Sequence, residues 1–178
     1  MLSNMKGLVV VIASSVCALS AAYADTDGQN VIYVGSGTAK NTNTSVKSSN
    51  PATLGYLRLS NTSDTVWGLD VSAEGTMLDS TWGQRNSAQQ ATAFNFLFGK
   101  NLNKTENSRI DAAFIVGMRE KASSCNKSYL GYQCYADQEP DTSYGLNGGI
   151  ALTWIYKNFM VGARITGESK QALVGFRF

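Results

Sequence analysis

The chain predicts an all-β fold, an eight-stranded antiparallel up-and-down β-barrel, on three observations. Polar and apolar residues alternate with period two along most of its length. No window of residues 25–178 carries a convincing apolar stripe at helical spacing, and the connections between alternating segments are long and short by turns. Candidate strands lie at about residues 30–40, 52–61, 65–79, 91–102, 109–124, 143–157, 159–169 and 171–178.

Ahead of the first strand, Lys6 precedes an apolar run from Gly7 to about Ala22, and Ala22, Tyr23 and Ala24 supply the small residues of a cleavage site before Asp25. Residues 1–24 are therefore expected to be a cleaved signal peptide, because a membrane-spanning helix needs roughly 20 apolar residues and this run is shorter. Cys17 follows bulky Val16, which argues against a lipoprotein, and it leaves with the signal. Residues 25–178 then form one domain, with nothing in them that reads as a linker. The formal charge of +2 drops by one with Lys6, so neither a nucleic-acid partner nor an acidic tail is indicated. The remaining cysteines, Cys125 and Cys134, close a short loop in an exported chain and are expected to form a disulfide. Histidine and CxxC spacing are both absent, so no metal or redox site is expected.

Strands one and two alternate less cleanly than the rest. Within the first, Gly35 to Lys40 (GSGTAK) has two glycines of a phosphate loop, but the third glycine and the opening helix are missing. Those glycines are expected instead to permit curvature and close strand approach. The third strand sets Trp67, Leu69, Val71 and Ala73 against Gly68, Asp70, Ser72 and Glu74. The fourth presents Phe94, Phe96 and Phe98 on one face. In the fifth, Ile110, Ala112, Phe114, Val116 and Met118 oppose Arg109, Asp111, Ala113, Gly117 and Arg119, with Ile115 a misfit. The sixth places Tyr144, Leu146, Ile150, Leu152, Trp154 and Tyr156 on one side, and the seventh opposes Phe159, Val161, Ala163 and Ile165 to Met160, Gly162, Arg164, Thr166 and Glu168. In the last strand Ala172, Val174, Phe176 and Phe178 face away from Gln171, Gly175 and Arg177, and Leu173 spoils the division.

The sixth strand decides which face meets which solvent. Its aromatics sit at both ends and its aliphatics between them, the profile of a lipid-facing strand. Connections at 41–51, 80–90 and 125–142 are long and polar, whereas 62–64, 103–108 and the turn at Asn158 are short. That is the order of a transmembrane barrel with short periplasmic turns and longer external loops; the brief connection at 167–170 is the exception. The register turns Arg58, Asp70, Glu74, Asp111, Arg119, Arg164, Glu168 and Arg177 into the lumen. The interior of an eight-stranded barrel is about filled by its own side chains, so these charges are expected to pair as a packed polar network.

The ending at Phe178 resembles the carboxy-terminal signature of bacterial outer-membrane barrels, which implies that the barrel assembly machinery reads the last strand. In architecture, length, loop order and terminal Phe the whole domain resembles the small eight-stranded outer-membrane proteins of the OmpX, Ail, NspA and OmpA transmembrane-domain type. The resemblance is not residue by residue, so it carries over no site residue. It implies export by the general secretory route to the outer membrane of a Gram-negative bacterium, among outer-membrane lipids and lipopolysaccharide. It also implies an adhesion, resistance or envelope-integrity role rather than catalysis.

Recognition is expected in the third long loop, where the Cys125 to Cys134 clasp holds Tyr129 and Tyr132 with Tyr135 just beyond. The competing reading, which the sequence favours over recognition, places these tyrosines in the outer aromatic girdle beside the lipid headgroups. Two further functional classes compete: a narrow channel for small solutes or hydrophobic molecules, and a lipid A-modifying enzyme. The channel for hydrophobic molecules wants an apolar lumen, and the enzyme lacks the histidine that ordinarily activates a serine. No catalytic, cofactor-binding or metal-ligating residue is expected.

Overall fold

In the computed structural model, residues 28–39, 50–78, 88–122 and 142–178 are described. Eight strands follow in order: β1 (Gly28–Ala39), β2 (Ala52–Ser60), β3 (Thr65–Leu78), β4 (Ala88–Lys104), β5 (Ser108–Ala122), β6 (Thr142–Tyr156), β7 (Phe159–Thr166) and β8 (Ser169–Arg177). Each pairs antiparallel with its sequence neighbour, and β1 pairs with β8 to close the barrel. Closure leaves the backbone N–H and C=O groups of the sheet bonded within the chain, the condition for a strand to lie against hydrocarbon.

Aromatic and β-branched residues fill the pleats, which is why alternation alone located these strands to within a few residues. Short turns join β2 to β3, β4 to β5 and β6 to β7 at one end of the barrel, here the turn end. The opposite, loop end carries the connections at 40–51, 79–87 and 123–141. There β7 and β8 are joined through Gly167 and Glu168 alone. Lys157 turns the β6–β7 corner at φ 51, and its N–H reaches Asn107 O at 2.7 Å.

The wall is uneven in height. β4 is 17 residues long and β7 only 8. Pairing of β6 with β7 runs out at Gly149, although β6 continues to Thr142 against β5. Similarly, β2 stops at Ala52 opposite Ala73, and β3 runs on beside β4. The β3 to β6 wall therefore stands above the rim at the loop end. A register shift between Ala73 and Thr76 interrupts β3 there, and Gly75 takes φ +84, a conformation that glycine adopts without strain.

Solvent and core are inverted relative to a water-soluble barrel. Outward side chains of β3 to β6 include Leu69, Phe94, Phe96, Phe114, Val116 and Leu146, with Phe114 69% and Leu146 88% exposed. Inward, Glu74 is 0% and Arg164 1% exposed. The packed polar interior expected of the lumen is only part of it, because Leu57, Leu59, Val66, Leu97, Ile115, Ile155, Met160 and Leu173 are also buried and belong to one apolar cluster. Ile115 and Leu173, misfits in the alternation, belong to this internal layer.

Candidate functional site

The lumen holds two polar groups separated along the strands by apolar side chains. On β4, Leu97 and Gly99 intervene between Asn95, which bonds Asp70, and Asn101, which bonds Asp111. On β5, Ala113, Ile115 and Gly117 separate Asp111 from Arg119. Side chains pointing the same way recur every second residue, so the interval between the polar groups is a packed apolar layer.

Toward the loop end the cluster is built on Glu74. Its Oε1 accepts from Ser72 at 2.9 Å, Asn147 at 2.8 Å and Arg164 at 3.0 Å. Its Oε2 accepts from Thr166 at 2.9 Å, Ser169, and Gln171 at 3.4 Å. Arg164 also donates to Thr53 at 2.5 Å and lies 3.5 Å from Asp70. Asp70 accepts from Tyr33 Oη at 2.8 Å and from Asn95 at 2.7 Å. One guanidinium thus faces two carboxylates, and neutral donors from six strands supply the remaining hydrogen bonds. Water is replaced by fixed dipoles, which is how a closed interior accommodates buried ions.

Nearer the turn end, Arg109 Nε meets Asp111 Oδ1 at 2.7 Å, and Arg109 Nη1 donates to Ser60 O at 2.9 Å. Asn101 gives Asp111 a further bond at 2.9 Å. Arg109 Nη2, Asp111 Oδ2 and Arg164 Nε have no partner among the described residues.

The remaining inner charges lie at the rims. Arg119 pairs with Glu168 at 2.7 Å, both partly exposed at the loop end, and Arg177 donates to Gln29 at 3.1 Å. The eight predicted inner charges therefore divide into separate groups instead of one network. Arg109 was legible on the polar face of the fifth strand, yet it was missing from the expected set of inner charges. Arg58 is a correction, since it stands on the outer face. In β2 the buried side is Thr53, Gly55, Leu57 and Leu59, which turns Leu54, Tyr56 and Arg58 outward. Leucines on both faces of β2 erase the polarity contrast that fixes the other strands. The uncharged partners Tyr33, Thr53, Asn95 and Asn147 were also missed as network members, although their inward parity was a signal for them.

Gly35 to Ala39 lie within β1 and form no phosphate loop. A Cβ at Gly37 would stand 2.0 Å from Lys170 O, so glycine there permits the close approach of β8. Phe178 faces outward, and its backbone N–H bonds Asn30 O at 2.9 Å. Cys125, Cys134, Tyr129, Tyr132 and Tyr135 lie outside the described residues, as do residues 1–24. Among the described residues no cluster of His, Cys, Asp and Glu could hold a metal ion.

Comparison with known proteins returns likeness in shape. No family model and no curated protein matches the chain. The attachment invasion locus protein Ail of Yersinia pestis, in complex with the heparin analogue sucrose octasulfate, aligns at TM-score 0.44 and 17% identity, over 85% of this chain and 99% of that one. The backbone structure of Yersinia pestis Ail in a phospholipid bilayer nanodisc aligns at TM-score 0.45 and 14% identity, over the same shares. The closed eight-stranded antiparallel barrel itself is established by the strand pairing of this chain, and it is the architecture the sequence resemblance implies.

Proposed function

We propose that this chain is an integral outer-membrane barrel of a Gram-negative bacterium whose external loops bind lipopolysaccharide or a surface ligand, in adhesion, resistance or envelope integrity. One observation carries the membrane reading: aromatic and aliphatic side chains cover the outer face of strand after strand, whereas Asp70, Glu74, Arg109, Asp111 and Arg164 are buried inside. Soluble monomers rarely expose an apolar patch beyond a few hundred Å², and here apolar side chains cover the outer face of strand after strand. The turn end then faces the periplasm and the loop end the exterior. Under the same reading, residues 1–24 direct secretion, the last strand and Phe178 engage the assembly machinery, and Cys125 to Cys134 form a disulfide. Tyr129, Tyr132 and Tyr135 are the recognition side chains of the third loop.

The non-catalytic reading is supported by the near-complete burial of Asp70, Glu74 and Asp111 and by a sequence without histidine. The channel reading draws on the buried polar atoms that have no partner among the described residues, each a site with hydrogen-bonding capacity for water. Leu57, Leu59, Val66, Leu97, Ile155 and Met160 oppose it, because an apolar layer breaks any water file.

The deciding experiment compares boiled and unboiled protein on a gel after refolding residues 25–178 into detergent micelles. A heat-modifiable band with strong strand circular dichroism supports the barrel in a membrane mimic, whereas solubility without detergent and no shift overturn it. Lipopolysaccharide binding by the folded protein tests the loops. A change in acyl-chain number of lipid A incubated with it would refute the non-catalytic role.

A further inference from the structure

Arg58, the one buried-set candidate that turned outward, lies in company that gives it a use. It is half-buried on the outer face of β2, two residues before the strand ends at the turn end. Its Nη1 donates to Asn30 Oδ1 at 2.9 Å, and the same oxygen accepts from Tyr56 Oη at 2.6 Å. The guanidinium also lies across Gly28, where a Cβ would come within 2.4 Å of its Cζ. In the ladder Arg58 stands opposite Trp67, Trp67 opposite Phe98, and Thr65 opposite Lys100. Trp67 and exposed Lys100 share the outward face, and Trp67 packs edge-on against Tyr56 with ring centroids 6.3 Å apart. One tryptophan is thus flanked by a cation on each neighbouring strand.

We infer that the outward array of Arg58, Trp67 and Lys100 binds the phosphate of an anionic phospholipid in the leaflet at the turn end. The inference rests on the membrane reading above and adds to it a lipid class and a leaflet. Charges on the lipid-facing surface are costly near the bilayer midplane and nearly free at its edges. Arg58 and Lys100 therefore mark the depth of the headgroups at this end. Tryptophan and tyrosine rings settle at that same depth. A guanidinium presents a planar fork of donors that matches phosphate oxygens, and a headgroup can share one that the protein's own groups already engage. Lys100 adds a second positive charge across Trp67. The counterpart outward cation at the loop end, Lys170, is exposed on β8 and has beside it Ala172, Thr38 and Ile165 instead of aromatic rings. The array thus fits the phospholipid leaflet facing the turns, not the opposite surface.

The test uses folded protein in micelles that mix phosphatidylcholine with phosphatidylglycerol, with retained lipids counted by native mass spectrometry. Wild type is expected to retain phosphatidylglycerol over phosphatidylcholine. Arg58→Gln and Lys100→Gln are each expected to weaken that preference about fivefold, the effect of one basic residue at an anionic surface. Lys170→Gln is expected to leave it unchanged. No preference in wild type, an unchanged preference in the double variant, or an equal loss in Lys170→Gln overturns the inference. Heat-modifiability measured on the same samples separates the two readings. A barrel that folds in micelles without lipid preference contradicts only the lipid site, whereas one that never folds into micelles contradicts the membrane assignment.

Discussion

At the loop end of the lumen, Glu74 accepts hydrogen bonds on both carboxylate oxygens from five neutral side chains and Arg164. At the turn end, Arg109 and Asp111 hold each other but leave Arg109 Nη2 and Asp111 Oδ2 without partners among the described residues, against Arg164 Nε alone at the loop end. Both sites bury ions almost completely, at 2% exposure or less for Arg109, Asp111, Glu74 and Arg164. The difference is in the neutral polar residues around them. Near the loop end Ser72, Asn147, Thr166, Ser169 and Gln171 supply what an ion pair alone cannot. Near the turn end the neighbours in the lumen include Leu59, Leu97 and Ile155, which offer no donors. A buried ion is thus secured by the dipoles that replace its water more than by its counter-ion.

The contrast can be broken most forcefully at its centre. Glu74→Ala leaves Arg164 facing Asp70 alone and strands several donors, and it is expected to cost about 3–5 kcal/mol in chemical unfolding of the refolded barrel. A cost below about 1 kcal/mol would show that the donors rearrange around water and that saturation is not what stabilises this end. Tyr33→Phe removes one buried donor from Asp70 and keeps the ring, so a smaller loss of about 1–3 kcal/mol is expected from the same unfolding curves.

The turn-end pair responds differently. Replacing Arg109 and Asp111 together by leucine exchanges an incompletely bonded ion pair for apolar volume beside an apolar layer, and stability is expected to stay level or rise. A loss comparable to that of Glu74→Ala would erase the distinction between the two ends. The smallest effect is expected at the rim, where Arg119 and Glu168 are partly open to solvent. Arg119→Ala should shift stability by no more than about 1 kcal/mol, and added salt should narrow the gap to wild type. Single-channel recording on Arg119→Ala with Arg164→Ala sharpens the picture further. A packed apolar layer predicts at most a small conductance gain, whereas a large one would reveal a continuous path.

The strands were legible because outward aromatics such as Phe94, Phe96 and Phe98 alternate with inward Asn95 and Leu97, a pattern with only one sensible pleat. Register failed in β2, where Leu54 faces out and Leu57 and Leu59 face in, so hydropathy gives no contrast between faces. The inner charges on β3, β5 and β7 were legible for the same reason as the strands. Their grouping was not, because it depends on barrel closure, which brings Glu74 of β3 against Ser169 and Gln171 of β8. Leu173 and Ile115 looked like errors in an alternating pattern. They belong to the layer that splits the lumen, and only the assembled interior reveals it. The neutral donors escaped notice because serine, threonine and asparagine are equally at home in a polar loop.

The central claim is that the apolar outer belt of this barrel meets lipid while Asp70, Glu74, Arg109, Asp111 and Arg164 lie buried inside. Its most direct test places single nitroxide labels at positions 94 to 98 of β4, in protein with Cys125 and Cys134 replaced by serine and reconstituted in bilayers. Collision with oxygen should be high at 94, 96 and 98 and low at 95 and 97, with all five shielded from a water-soluble nickel chelate. Free access of the chelate to 94, 96 and 98 would contradict a lipid-facing belt and return the chain to the aqueous phase.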